Sequence, residues 1–285
     1  VAVQDPWKHG KVIELRYLRS LQGIVDLLRQ AIKGETDPHR IIRILKSFLV
    51  APALHRFAQE AAANMVTHLL AENAKSWRQA AREAGKVRII YEALRRELQG
   101  PVGGAVAHQI QRNAEIIKTL PLDIAERVTD FVSRESLKGR RAADIARDIQ
   151  EMFPENSRAR AQLIARTEVS KTSTALTRAR AENIGLEWYE WRTSEDGRVR
   201  DSHRFMDRVL VSWNSPPQPE RLIGEKNPPP PYHAGEIWNC RCYPAPLTGV
   251  DRVTWPHRVH VNGAVVVMAK WEFEMLNRGN VTMTA

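Results

Sequence analysis

Cys240 and Cys242 are the only two cysteines in the chain, and they stand two residues apart in the run Asn239-Cys240-Arg241-Cys242. Upstream lies a second polar run, Asp196-Gly197-Arg198-Val199-Arg200-Asp201-Ser202-His203. Three chemistries use such residues. Cys240, Cys242, His203 and His233 are acceptable ligands for a four-coordinate zinc, although Cys-x-Cys is not the common Cys-x₂-Cys spacing. A thiol nucleophile, Cys240 or Cys242, with His203 as base and Asp196 as its orienter, belongs to the rival reading of the chain, a metal- or cysteine-dependent enzyme acting on nucleic acid or protein, but no protease or transferase signature surrounds either cysteine. The third and preferred reading is a structural polar core. In it Asp196, Arg200, His203, Asn239 and Arg241 hydrogen-bond one another beside Trp191 and pin a loop against the helix that carries Glu168. A small module with few apolar residues needs such staples. Thiols at i and i+2 make a poor disulfide, so both are expected to be reduced, on one side of a strand of period two, in a reducing compartment.

The elements that must position these groups come in two styles. From Lys11 to Gly185 the pattern is helical. Asp37-Pro38 offers an N-cap and a first-turn proline. Residues 51–98 read as one or two long helices, and Gly100-Pro101 marks a break. Further helices are expected near 105–118 and 121–137, then one ending at Pro154, then one over 157–184. After Gly185 the character changes. Residues 187–192 alternate as in a half-buried strand, with further strands at 209–211, 240–243, 257–261 and 264–268 and a helix or strand near 271–276. Between them, residues 214–235 hold seven prolines and read as an extended loop without a core of its own. The fold class is therefore α+β: a mainly α-helical N-terminal region (1–139), a small α+β module with short antiparallel strands (140–247), and a C-terminal extension (248–285).

One helix admits a sharper expectation. At 100° per residue, Ala161, Ile164, Ala165, Glu168, Thr172, Ala175, Leu176 and Ala179 share a face, opposite Arg166, Thr167, Ser170, Ser173, Thr174 and Thr177. Glu168 sits in the apolar face, and a buried carboxylate needs a partner. Arg200, His203 and Arg241 are the candidates, with Arg200 or Arg241 expected. Arg158, Arg160, Lys171, Arg178 and Arg180 form a basic strip suited to phosphates without sequence preference or to an acidic protein.

The whole chain is basic, with 43 Lys+Arg against 33 Asp+Glu and a formal charge of +10. That balance makes nucleic acid a plausible neighbour. No apolar run approaches the length needed to span a bilayer, and no secretion-type apolar segment opens the chain, so no membrane partner is expected.

Ala165-Arg166-Thr167-Glu168 on a helix, Trp191, Asp196-x-Arg198-x-Arg200-x-x-His203, a proline-rich loop and Asn239-Cys240-Arg241-Cys242 follow one another in an order that resembles the C-terminal domain of the phage Mu F-like head morphogenesis proteins, minor capsid proteins of tailed bacteriophages. The resemblance covers residues 140–247. It departs after His203, where an Asp/Asn-Gly turn is usual in the family and Asp207-Arg208 stands here. The resemblance implies a virion component in the head interior, present in the host cytoplasm during assembly. It implies association with the portal protein and with the major capsid or scaffolding protein, non-specific contact with double-stranded DNA, and a role in procapsid assembly and DNA packaging or ejection. It implies no enzyme and no cofactor, zinc being the one candidate ion.

Overall fold

The computed structural model describes residues 5–85 and 87–281. Two compact units emerge, and neither is a contiguous span. One comprises Gly10–Leu69 and Val106–Val169; the other comprises Val1–His9, Leu70–Ala105 and Ser170–Ala285.

The first unit is helical. Helix α1 (Lys11–Ile32) buries Ile13, Tyr17, Leu21, Ile24, Val25, Leu28 and Ile32, the three-and-four spacing that turns one stripe inward. Asp37 caps α2 (Pro38–Leu49) by accepting from the His39 amide at 2.9 Å, with Pro38 in the first turn, as the sequence predicts. Residues up to Leu69 of α3 (Pro52–Glu83), Val106 onward of α5 (Pro101–Leu137) and residues up to Val169 of α6 (Ala142–Asn183) complete it.

Two helix breaks expected from proline are absent. The segments 105–118 and 121–137 are one helix with Pro121 inside it, and α6 runs on through Pro154. A proline removes one backbone hydrogen bond and crowds one carbonyl, a local cost of about 3 kcal/mol. Long helices packed on both sides of the proline outweigh it. Around Pro121, Leu120, Ile124 and Ala125 are all buried.

The second unit contains α4 (Val87–Arg96), the remainder of α6, and a five-stranded sheet of order β3-β1-β2-β4-β5. The strands are β1 (Trp188–Arg192), β2 (Leu210–Ser212), β3 (Tyr243–Pro246), β4 (His257–Val261) and β5 (Ala264–Met268). The sheet is mixed: β1–β2, β1–β3 and β4–β5 are antiparallel, whereas β2–β4 is parallel, so the expectation of antiparallel strands alone is corrected. Three short helices, α7 (Asp201–Met206), α8 (Pro219–Leu222) and α9 (Lys270–Val281), lie in its connections and at its end.

Strand β1 is buried on both faces rather than half-buried. Tyr189 and Trp191 join a core with Trp77, Ile90, Ala181, Val209, Val211, Trp213, Tyr232 and both cysteines. Trp188 points the other way, to Leu210, Val259 and Phe273. The period of two remains, but each side has its own cover. The proline-rich segment also contributes to the core: Tyr232, His233 and Ala234 are buried, and α8 interrupts it.

Candidate functional site

The polar runs singled out in the sequence converge in the second unit, at one end of its aromatic core. Helix α7 carries His203, which is 2 % exposed. Its Nδ1 lies 3.5 Å from Cys240 Sγ and 3.4 Å from Cys242 Sγ. Its Nε2 lies 2.9 Å from the Tyr232 hydroxyl, which in turn donates to Glu220 Oε1 at 2.7 Å. Because the phenol donates onward, it accepts from His203 Nε2–H, and that leaves Nδ1 as a lone pair aimed at the two sulfurs. Ser202 Oγ also donates to Glu220, at 3.2 Å. Tyr232 and Glu220 carry no signal that sequence reasoning used. Both sit in the proline-rich segment, where composition suggests only a loop.

The cysteines are free and buried, as expected of reduced thiols. They do not lie in a strand, because β3 begins at Tyr243. A loop brings them to one centre instead. Asn239 adopts a left-handed φ of 58°, the Cys240 amide donates to Ile237 O at 3.2 Å, and the Cys242 amide donates to Cys240 Sγ at 3.3 Å. A hydrogen bond from the Cys242 thiol, the largest influence on it, holds the Cys240 thiol well below its usual range against the opposing effect of burial. The same contact and burial push Cys242 up. The indole of Trp191 lies beside Cys242, and its ring centre is 5.7 Å from that of His203. A small cavity of about 50 Å³ touches His203, both cysteines, Arg198, Arg200, Asn239 and Arg241.

The rest of the expected polar core divides. Asp196 and Arg241 form a two-pronged ion pair, one arm of 2.8 Å, and the Arg198 amide and Arg241 guanidinium outweigh desolvation to lower the Asp196 pKa. Asp196 therefore orients Arg241 and not His203. Arg200 donates to Trp238 O at 2.9 Å. Asn239 is exposed and serves the turn through its backbone, a conformation asparagine tolerates. His233, taken as a fourth metal ligand, is elsewhere: its Nδ1 meets the Tyr189 hydroxyl at 3.1 Å and its Nε2 meets Arg178 at 3.4 Å. Burial, and then Arg178, lower its pKa to about 4. His9, which sequence reasoning passed over, lies within electrostatic reach of Cys240, and its Nδ1 is buried without a hydrogen-bond partner among the described residues.

Glu168 is buried as predicted, but its partner is Arg112 of α5, at 2.6 Å, and not Arg200 or Arg241. Helical phase alone could place the carboxylate inside but could not say which neighbouring helix answers it. The face opposite Glu168 is buried too: Thr167, Ser170, Ser173, Thr174 and Thr177 are all nearly inaccessible. Two of their hydroxyls find acceptors. Thr177 Oγ1 donates to Ser173 O at 2.9 Å, and Thr174 Oγ1 donates to Ala234 O at 2.7 Å, tying α6 to the loop that leads to the cysteines.

The basic strip is no continuous surface. Arg180 is 3 % exposed and holds Glu97 with both arms at 2.7 Å, along with Asn73 and Leu70 O. Arg160 pairs with Asp123 at 2.7 Å and Arg178 with Glu182 at 2.7 Å. Lys171 lies 5.0 Å from the centre of the Trp238 ring, and Arg158 is exposed. At the departure from the family turn, Arg208 takes a left-handed φ of 61°, and Asp207 Oδ1 accepts from the Thr193 amide at 2.9 Å.

Residues 124–244 match the family described as Phage Mu protein F like protein, which bears out the resemblance in the C-terminal region. An uncharacterized protein of Haemophilus influenzae (strain ATCC 51907 / DSM 11121 / KW20 / Rd) is 31% identical over 135 residues, 47% of this chain and 28% of that protein. The chain thus spans little more than a quarter of the curated relative it matches. No solved structure matches.

Proposed function

We propose that this chain is a minor capsid, or head morphogenesis, protein of a tailed bacteriophage. It sits inside the head, associates with the portal and with the major capsid or scaffolding protein, and aids procapsid assembly and DNA packaging or ejection. The observation that carries this reading is the family match over residues 124–244, the span that contains the whole His203–Cys240–Cys242 centre. Among the described residues, no helix is long and apolar enough to cross a membrane.

The reading includes no catalysis. A cysteine nucleophile needs access, yet Cys240 and Cys242 are 3 % and 2 % exposed, and the adjoining cavity of about 50 Å³ is the size of one or two waters. The proposed orienter, Asp196, is engaged by Arg241. DNA, where it is met, is met through the general basic balance rather than through a dedicated strip.

The test is assembly. The chain is co-expressed with the portal, scaffolding and major capsid proteins of the phage that encodes it, and procapsids are purified. The expected outcome is co-sedimentation in a few copies per particle that depends on the portal. Exclusion from procapsids, or turnover of a peptide or nucleic-acid substrate abolished by Cys240→Ser, overturns the proposal.

A further inference from the structure

We infer that His203 Nδ1, Cys240 Sγ and Cys242 Sγ form a binding site for one zinc-class divalent cation, which staples helix α7 to the loop before β3. The three donor atoms lie within 4.8 Å of one another, and all three residues are buried. Spacing is the first argument. Bonds of about 2.3 Å to sulfur and about 2.0 Å to nitrogen, at the tetrahedral angle, place ligand atoms about 3.5 Å apart. The observed Nδ1–sulfur separations are 3.5 and 3.4 Å, so both nitrogen–sulfur edges already have the spacing a metal requires.

The second argument is the shell behind the ligands. A metal-bound histidine donates its other N–H to a fixed acceptor, which sets the tautomer and the ring plane. Here Tyr232 accepts from Nε2 at 2.9 Å and is itself anchored by Glu220 at 2.7 Å. Nδ1 is thereby committed to the sulfur side before any metal arrives. Charge is the third. Binding a divalent cation takes both sulfurs as thiolates, any thiol proton passing to solvent, and two thiolates with one dication leave the centre neutral, which a buried aromatic core tolerates. Soft sulfur with imidazole selects zinc over magnesium or calcium.

The fourth position faces the cavity of about 50 Å³, room for a water but not for a substrate, so the role is structural. The staple closes a loop from His203 to Cys240 that contains the whole proline-rich segment.

The full-length chain, expressed with zinc in the medium and gel-filtered, is expected to hold about one zinc per chain. The cobalt-substituted protein is expected to show thiolate-to-cobalt charge transfer and the strong visible bands of a tetrahedral site. Titrating zinc into the metal-free chain should release up to two protons per metal. Cys240→Ser, Cys242→Ser and His203→Ala should each weaken binding by tenfold or more. Tyr232→Phe keeps the ring and removes only the acceptor behind His203; it should weaken binding about tenfold while the fold persists. Substoichiometric metal after supplementation, or cobalt binding without thiolate bands in the wild-type chain, overturns the assignment whatever the variants do. Equal affinity in wild type and Tyr232→Phe overturns the role given to the Tyr232–Glu220 relay.

Discussion

The carboxylate of Glu168 shows how far a single residue can be read and where reading stops. Its position on a helical face shows that it is buried, because alanine, isoleucine and leucine surround it in phase. The cation that answers it, Arg112, comes from a helix remote in sequence, and no local pattern encodes that contact. The pair is asymmetric: the Glu168 side chain is 1% exposed and that of Arg112 30%. Arg112→Ala therefore strands a buried charge and should cost about 3–5 kcal/mol, whereas Glu168→Ala leaves a guanidinium that water can reach and should cost less than half as much. Urea denaturation of both variants checks the order. Equal losses would mean that Arg112 is as dependent on the pair as Glu168.

At the scale of elements, four of the five strands and the capped helix α2 are legible because alternation and Asp-Pro chemistry are local, whereas the strand expected at 240–243 begins only at Tyr243. The proline-rich segment is not legible, because its value lies in what it touches. Gly235 is the clearest case. It has a φ of +89°, and a Cβ there would stand 2.6 Å from Thr174 Oγ1 and 2.9 Å from both Cys242 O and Ser170 Oγ. Helix α6 and the loop approach so closely that only a glycine fits, and the approach delivers Tyr232 and the cysteines to His203. Gly235→Ala combines a disfavoured φ with a clash and should destabilise the second unit by about 2 kcal/mol or more, while adding no polar group. Thermal unfolding checks it; a melting temperature unchanged from wild type would mean that the loop can lift away freely. The threonines and serines of α6 mislead for a related reason. The polar face opposite Glu168 is buried because hydroxyls such as those of Thr177 and Thr174 find acceptors on the helix's own carbonyls and on Ala234.

For the whole molecule, the buried histidines set the response to acid. His233 has a folded-state pKa of about 4, lowered by burial and by Arg178, and burial lowers His260 as well. An unfolded histidine takes its proton near pH 6.5, so between pH 6.5 and 4 the unfolded chain binds more protons than the folded one. Stability must then rise with pH across that window and fall as the medium is acidified, with His233 alone contributing on the order of 3 kcal/mol between its ends. Chemical denaturation at pH 7.5, 6 and 5 should show the decline, and His233→Gln should make it shallower, the remainder coming from His260 and His9. A stability profile level from pH 7.5 to 5 would contradict the buried neutral state.

The second unit is gathered from three separated stretches of chain, Val1–His9, Leu70–Ala105 and Ser170–Ala285. Its first core residues, Trp77 and Ile90, leave the ribosome long before their partners Tyr189, Trp191 and Trp213 exist. During synthesis this aromatic surface stays uncovered until β1, β2 and the proline-rich segment have emerged, and contacts so distant in sequence form slowly. A ribosome that stops early thus releases a chain with an open, adhesive core, so the cell must shield or destroy such fragments.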